Sequence, residues 1–356
     1  MKLVLAGAWQ WPWYEQACAT SLTRLGHQVV RFSWAETFLA KPAEGRRPPQ
    51  ATAAATQFRF ATGPLVERLN RQLAECVAAE RPDVLFLYRA PVVQAETLRR
   101  IRRLHPGIVI AQYCNDDPFS RAANPVFWRH LRRGIPLCDI HYVFRTANIP
   151  EFEAAGAPRA ALLRAYFVPE MHHPVPPAER DPRQRRDVVF AGHYEHDRRI
   201  ASLARLRSGG VPVSILGGGW DRATREEREA LGGPPPGPPA VGDAYREVVC
   251  GASICLCFLS TKNRDTYTTR TFEVPAMQGF MLSQYTADIA GLFTEDEEVV
   301  LFRDDGELLD KARYYLAHED ERLEIARRGR ERAIRDGHDV TSRMRAVAAD
   351  LEALLP

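Results

Sequence analysis

The sequence alternates short apolar runs with amphipathic stretches, and this alternation occurs in two series. The apolar runs of the first series are residues 2–8, 27–33, 83–89, 108–114 and 139–144. Helical spacing of apolar residues is found near residues 14–25, 64–80, 93–104, 125–133 and 148–155. Apolar runs that alternate with helices are typical of parallel strands joined by crossover helices. The first series therefore predicts a doubly wound α/β domain.

The second series follows a polar, proline-rich stretch at residues 168–187, which has no helical or strand period and is typical of an interdomain linker. The apolar runs of the second series are residues 187–192, 212–218, 254–259, 280–283 and 299–302. A chain of 356 residues is long enough for two domains of roughly 150 to 170 residues. We therefore predict an α/β protein with an N-terminal domain at 1–167 and a C-terminal domain at 168–337.

The last segment, residues 338–356, predicts an amphipathic helix. Its apolar residues at helical spacing are Met344, Val347, Leu351 and Leu354. A helix of this kind buries its apolar face against another part of the protein.

Composition and charge exclude several classes of protein. The chain has 48 basic and 45 acidic residues, so no overall positive field favours nucleic acid as a partner. It has no apolar run of the roughly 18 to 20 residues that a membrane helix needs, and its N-terminal apolar run is too short for a signal peptide. Its seven cysteines are odd in number and lack C-x-x-C spacing, which predicts free core thiols in a reducing compartment. We therefore expect a cytoplasmic protein without a transmembrane segment.

The segment at residues 268–280, TTRTFEVPAMQGF, predicts a short helix with Thr268 or Thr269 as N-cap and an end at Gly279. Glu273 lies in the first turns of this helix and shares a face with Arg270, three residues earlier. A carboxylate there can accept two ribose hydroxyls, and a helix start favours phosphate. An ordinary surface ion pair between Arg270 and Glu273 is an equally good interpretation of these residues alone.

Residues 270–293 and 297–333 resemble the C-terminal half of GT-B glycosyltransferases, in particular the CgeB-like (spore maturation protein) branch related to the glycosyl transferases group 1. The resemblance extends over about residues 187–338. It implies two facing Rossmann-like domains, with the C-terminal helix packed back on the first. It also implies that Glu273 binds the ribose of a nucleotide sugar, and that the enzyme uses neither a metal nor another cofactor.

Two further loops of the second domain are expected to complete the donor site, because ligands collect where parallel strands end. The predicted donor-binding residues are Gly192, Arg198, Arg199, Lys262, Arg270, Thr271, Phe272 and Glu273. In similar proteins an arginine in the loop at 191–200 contacts the diphosphate, and Arg199 matches this position better than Arg198. Lys262 and Arg270 can balance the negative charge of the leaving diphosphate. The alternative for Arg198 and Arg199 is that both are solvent-exposed residues at the start of a helix.

Asp265 lies eight positions before Glu273 and reproduces the spacing of the acidic pair in retaining group 1 enzymes. We therefore include Asp265 and Arg270 among the candidate catalytic residues. The Gly-Phe-Gly that usually lies between the two acids is absent, so coincidence is at least as good an explanation of the spacing.

The first domain offers candidates for the acceptor side. Asp116 and Asp117 follow a predicted strand and are candidate catalytic residues, as a base or as groups that orient the acceptor; the alternative is a helix N-cap. Trp9, Trp11 and Trp13 alternate after the first strand, in a loop that lacks the G-x-G-x-x-G fingerprint of dinucleotide-binding proteins. Their rings can bind an acceptor, or the loop can fold onto its own core.

These observations predict a glycosyltransferase that moves a sugar from a nucleoside diphosphate, by default a UDP-sugar, to an unidentified acceptor. The acceptor can be a small molecule, a glycan or a protein. The catalysis is expected to be metal-independent, and the resemblance leans towards retention of the anomeric configuration. The alternatives are a nucleotide-sugar epimerase on the same fold and a protein that binds nucleotide sugars or glycans without turnover.

Overall fold

The computed structural model describes residues 1–38 and 49–356, which form two α/β units. The first unit combines Met1–Arg164 with Val340–Pro356, and the second unit is Ala165–Asp339. The prediction of two doubly wound α/β units is thereby confirmed.

The first unit is built on a six-stranded parallel sheet with the strand order β2-β1-β3-β4-β5-β6. Its strands are β1 (Lys2–Gly7), β2 (Gln28–Ser33), β3 (Val84–Tyr88), β4 (Val109–Cys114), β5 (Ile140–Val143) and β6 (Ala160–Leu162). Its helices are α1 (Ala17–Arg24), α2 (Pro49–Phe60), α3 (Pro64–Glu80), α4 (Ala95–Leu104), α5 (Arg129–Gly134), α6 (Asn148–Ala154) and α14 (Val340–Glu352). Strands β3, β4 and β5 are buried along their whole length, which explains why their sequences are apolar except for the buried Gln112 and His141.

The second unit is built on a five-stranded parallel sheet with the order β11-β10-β9-β7-β8. Its strands are β7 (Arg186–Ala191), β8 (Val213–Leu216), β9 (Ala252–Cys257), β10 (Met281–Gln284) and β11 (Val300–Phe302). Its helices are α7 (Arg199–Ser208), α8 (Arg225–Leu231), α9 (Asp243–Gly251), α10 (Arg270–Ala276), α11 (Ala287–Leu292), α12 (Asp305–Ala317) and α13 (Glu319–Arg335).

The proline-rich stretch predicted as a linker is partly packed into the second unit. His172 and Val175 are buried, and the backbone N–H of Val175 donates to the Sγ of Cys250 at 3.3 Å. The apolar residues of this stretch follow no helical or strand period, because its backbone is irregular and only single residues are buried. It is therefore a part of the second unit's core that periodicity could not reveal.

The cysteines and the helix lengths can be compared with the sequence predictions. All seven cysteines are free thiols, six of them buried, as predicted. Within the part of the chain that the structure describes, no helix is both long and apolar enough to cross a membrane.

The C-terminal helix α14 returns to the first unit and packs against α1. Met344, Val347 and Leu351 are at most 1% exposed, as their spacing predicts, whereas Leu354 lies beyond the end of the helix and is only half-buried. Polar contacts add to this packing, since the hydroxyls of Ser21 and Thr341 lie 3.2 Å apart.

We predict that Leu351→Ala lowers the free energy of unfolding by about 2–4 kcal/mol, because it leaves a cavity under a fully buried side chain. Arg345→Ala, on the exposed face of the same helix, is the matched control and is expected to change stability by less than about 0.5 kcal/mol. Chemical denaturation measures both. Equal effects of the two substitutions would mean that α14 contributes no buried face.

Candidate functional site

The order of the second sheet brings two loops together at its carboxyl edge. Strand β7 lies between β8 and β9. The chain adds β8 on one side of β7 and then adds β9, β10 and β11 on the other side, so the strand order reverses at β7. Ligands of open parallel sheets bind beside such a reversal. The loop after β7 and the loop after β9 are joined directly here, because the Ser260 hydroxyl donates to Glu195 Oε2 at 2.7 Å.

Glu273 lies on α10, which follows the β9 loop, and its side chain is almost buried. The residue is 8% exposed, and the hydroxyl of Tyr245 on α9 donates to its Oε2 at 3.1 Å. His172 lies near the other oxygen, with Nε2 at 3.9 Å from Oε1. The interpretation of Glu273 as one half of an ordinary surface ion pair is therefore wrong, since its carboxylate is nearly buried and contacts two buried or partly buried rings.

The ends of α10 differ in detail from those expected. Neither threonine caps the helix through its side chain: Thr269 makes no such bond, and Thr268 Oγ1 has no partner among the described residues. Instead the backbone N–H of Thr268 donates to Thr271 Oγ1 at 3.1 Å. The helix ends at Ala276, earlier than expected, and Gln278 rather than Gly279 takes the left-handed conformation.

Gly279 is required by packing instead of by a turn. A Cβ placed on it would lie 2.9 Å from Val249 Cγ1 and 3.0 Å from Val274 Cγ1, closer than packed carbon atoms normally approach.

Arg270 lies one turn before Glu273 and is half-buried. Its Nε finds no hydrogen-bond partner within residues 1–38 and 49–356. Burial raises the pKa of the Cys257 thiol to about 12 against the opposing effect of Arg270, and partial desolvation followed by the charge of Arg270 lowers the pKa of His193. The guanidinium therefore lies near the ends of both β9 and β7, where it can act on an anion.

Arg199 is placed differently from the expected diphosphate contact. Its guanidinium is 3% exposed and is bound to Asp197 by two hydrogen bonds, of 2.7 and 2.8 Å, and to the carbonyl of His193 at 2.7 Å. Arg198 is exposed and lies 3.6 Å from Asp305. Arg199 thus holds the loop after β7 in shape, and a contact of either arginine with a diphosphate stays a prediction.

Gly192 is needed where the ends of β7 and β8 meet. Its N–H donates to the carbonyl of Leu216 at 2.8 Å, and a Cβ on it would lie 2.5 Å from the ring of Phe190. Its carbonyl accepts from the indole of Trp220 at 3.0 Å. Both backbone groups of Gly192 are therefore occupied within the protein, and its contact with a phosphate stays a prediction.

The other donor-site candidates surround these residues at different depths. Thr271 and Phe272 are fully buried, and Phe272 packs edge-on against Tyr267 and His338 in the core of the unit. Lys262 is exposed in the loop after β9, and Asp265 in the same loop is half-buried, with its N–H donating to Ser260 O at 2.9 Å. The roles of Lys262 and Asp265 stay predictions.

The first sheet has its own reversal, between β1 and β3, and an ion pair lies at its carboxyl edge. Arg89 directly follows β3, in a left-handed backbone conformation with φ of 43°, and its Nε bonds to Asp116, which follows β4. Glu15, which sequence reasoning missed, lies in a short helical turn (Pro12–Gln16) after β1, is 2% exposed, and accepts from the N–H of Ala8 at 2.7 Å. Burial raises the pKa of the Glu15 carboxyl against these hydrogen bonds.

Asp117 has the contacts of a structural residue. It is 2% exposed, and its Oδ1 accepts from the N–H groups of Phe119 and Ser120 and from Asn148 Nδ2, all at 3.0 Å. These bonds close a turn, but the next helix begins only at Arg129, so the helix N-cap alternative is wrong and Asp117 is a turn-forming residue. Asp116, with a partly exposed carboxylate, is the better placed of the two adjacent acids to meet a ligand.

The three tryptophans of the first loop divide into two groups. Trp9 is tied down, since its indole donates to Phe32 O at 3.0 Å and Arg31 lies 5.1 Å from its ring. Trp11 is 46% exposed and stacks on Trp13 with ring centroids 5.0 Å apart. The open aromatic surface is therefore the Trp11–Trp13 pair, and its contact with an acceptor stays a prediction.

Potential metal ligands do not cluster in the described ranges. No group of three or more His, Cys, Asp or Glu side chains there could hold a metal ion. Catalysis without a metal stays a prediction, because this observation concerns ligand geometry alone.

Comparison with known proteins adds the family context. Residues 195–349 match the model of a family described as glycosyl transferase-like, and this range includes Glu273, Arg270 and Tyr245. The structure is similar to sucrose-phosphate synthase from Thermosynechococcus elongatus, with a TM-score of 0.70 and 13% identity over 99% of both chains. It is also similar to HepE from Anabaena in complex with UDP and glucose, with a TM-score of 0.68 and 11% identity over 99% of this chain and 100% of that chain.

A third similar structure is alpha,alpha-trehalose 6-phosphate synthase from Burkholderia multivorans, with a TM-score of 0.62 and 13% identity over 99% of this chain and 98% of that chain. The chain has the GT-B glycosyltransferase fold. The predicted fold is thus confirmed. A search of curated proteins by sequence finds no match.

We predict that Asp117→Ala lowers the free energy of unfolding by about 2–3 kcal/mol, because it leaves buried donors without their acceptor. Asp116→Ala removes a partly exposed ion pair and is expected to cost at most about 1 kcal/mol. Thermal and chemical unfolding measure the difference. An Asp117→Ala protein as stable as the wild type would remove the structural role of this acid.

Proposed function

We propose that the protein transfers a sugar from a nucleoside-diphosphate sugar to an acceptor, and that the donor binds to the second unit. The observation that carries this proposal is the Glu273 carboxylate, which accepts a hydrogen bond from Tyr245. Glu273 lies on α10, which follows β9 at the reversal point of the sheet, and it lies inside the range that matches the glycosyl transferase-like family. A fixed carboxylate there can accept the two vicinal hydroxyls of a ribose. The CgeB-like branch is the part of the superfamily to which we assign the chain.

The nature of the donor is inferred from similar structures. HepE from Anabaena has been crystallised with UDP and with UDP-glucose, and its fold matches this chain over its whole length. We therefore take a UDP-sugar as the donor to test first.

In the proposed mechanism, the leaving diphosphate is stabilised by positive side chains in place of a metal ion. Arg270 is assigned to this role first, because its Nε lacks a partner among the described residues while its guanidinium lies near the strand ends. Lys262, in the preceding loop, is assigned as the second cation. Arg199 contributes by holding its loop through its pair with Asp197.

The acceptor is assigned to the first unit. Asp116 offers a carboxylate at the carboxyl edge of that sheet, and Trp11 and Trp13 offer a flat surface on which a sugar ring or an apolar acceptor can stack. Retention of the anomeric configuration, with Asp265 near the sugar, is the stereochemical outcome that we propose.

We predict that Glu273→Ala weakens nucleotide binding by about 1.5–3 kcal/mol, the usual contribution of hydrogen bonds to a charged group. Titration calorimetry with UDP, GDP and dTDP and their sugars measures it. The control is Glu298→Ala, which removes a mostly buried, ion-paired acid elsewhere in the same unit and is expected to leave nucleotide affinity unchanged. Unchanged affinity in a folded Glu273→Ala protein would refute the ribose contact.

Incubation of the protein with the same nucleotide sugars, followed by product analysis, decides which reaction it catalyses. Diphosphate release that depends on an added acceptor supports transfer, an isomerised donor supports an epimerase, and binding without turnover supports a binding protein. Either of the last two results would overturn the proposed activity.

We also predict that Asp116→Asn lowers the transfer rate at least ten-fold and leaves donor affinity nearly intact, because the donor contacts belong to the other unit. Asp139→Asn is the matched control. Asp139 pairs with Arg102 at 2.8 Å with similar exposure, but it precedes β5 and so lies at the opposite edge of the same sheet. If both variants transfer at the wild-type rate, Asp116 has no part in the reaction.

A further inference from the structure

Three side chains of the second unit form a closed contact around the Glu273 carboxylate. Tyr245 donates to Oε2 at 3.1 Å, His172 Nε2 lies 3.9 Å from Oε1, and the rings of His172 and Tyr245 meet edge-on with centroids 6.2 Å apart. The three residues come from α9, from α10 and from the proline-rich stretch. Each of them thus contacts the other two.

The two rings hold defined protonation states. Burial, followed by the charge of Glu273, raises the pKa of Tyr245 well above its ordinary value, so its hydroxyl keeps the proton that it donates. Burial lowers the pKa of His172 despite the opposing effect of Glu273, so its ring is neutral at pH 7. Because His172 Nδ1 accepts from the N–H of Val168 at 3.0 Å, its proton is on Nε2, the nitrogen that faces Glu273.

These contacts restrict the carboxylate. A glutamate side chain has three rotatable bonds, and rotation about the last of them is limited by the hydroxyl of Tyr245 at Oε2 and by the ring of His172 at Oε1. Tyr245 engages one lone pair of Oε2, and the 3.9 Å separation from His172 is too long for a hydrogen bond. Acceptor positions therefore remain on both oxygens, in a fixed plane, as a vicinal diol requires.

We propose that Tyr245 is a positioning residue that sets the specificity of the donor site for a ribonucleotide, with His172 as the second support of Glu273. This inference rests on the proposed ribose contact of Glu273. A donor with a 2′,3′-diol uses both oxygens of the fixed carboxylate, whereas a nucleotide without these hydroxyls leaves a nearly buried carboxylate without new partners. The site should accordingly disfavour deoxyribonucleotide donors.

The test compares the affinities for UDP and for 2′,3′-dideoxyuridine 5′-diphosphate by titration calorimetry. If a thermal-shift screen shows that the protein prefers another base, GDP or ADP and the matching dideoxy analogue are used instead. We expect Tyr245→Phe to reduce the ratio of the two affinities by roughly two- to ten-fold, the effect of one hydrogen bond of ordinary net strength. The affinity for the dideoxy analogue should stay close to that of the wild type. Tyr315→Phe, at a buried tyrosine of α12 in the same unit, is the matched control and should keep the wild-type ratio.

Two kinds of failure are distinguishable. If the wild type binds both nucleotides equally, or binds none, the proposed ribose contact itself is wrong. If the wild type discriminates and Glu273→Ala does not, but Tyr245→Phe keeps the full ratio, the positioning role is overturned. A Tyr245→Phe protein that loses affinity for both nucleotides equally would overturn it as well, because general structural damage does not depend on the ribose hydroxyls.

A second variant serves if Tyr245→Phe does not fold. His172→Asn places an amide oxygen where Nδ1 accepts from Val168 and removes the ring edge that faces Glu273. The same fall in the affinity ratio is expected, and an unchanged ratio would overturn the proposal.

Discussion

Both units depend on the same constraint, which is that their strands are parallel and covered on both faces. Strands β3 and β4 are buried along their whole length, so their side chains are almost all apolar and polar groups concentrate beyond the strand ends; Gln112 in β4 is the buried exception. Because parallel strands all end at one edge, the polar residues that follow them meet there: Arg89 and Asp116 in the first sheet, and Glu195 and Ser260 in the second. The sheet, more than the sequence of each loop, positions these groups.

The same constraint explains which elements can be predicted from the sequence. The fully buried strand β3, VLFLY, is a continuous apolar run, and helix α3 carries its apolar residues at regular helical spacing. Strand β6 has only three residues, half-buried at the sheet edge, and gives no such pattern. Helix α8 is mostly charged, and its available signal was the capping box formed by Thr224 and Glu227.

The candidate site divides in a similar way. The position of Glu273 could be predicted, because it lies in a local pattern of helix start, acid and strand. Tyr245 and His172 could not, because their relation to Glu273 exists only after distant segments have packed, and His172 lies in a stretch that has no period. Glu15 could not be predicted either, because its burial follows from packing against Gly7, where a Cβ would lie 2.4 Å from the Glu15 side chain.

The arginines of the second unit illustrate why residue type and loop position do not determine a role. Arg199 has the expected position, yet its guanidinium is neutralised by Asp197 and its donors are used within the protein. A charge that is already paired adds little to the field at a ligand, so its contribution is to keep the loop rigid. Electrostatic stabilisation of a leaving group depends on donors that are held in place before the reaction but are not already bonded. Of the arginines predicted to bind the donor, Arg270 comes nearest to that condition, since it is half-buried at the strand ends and its Nε has no partner in the described part of the chain.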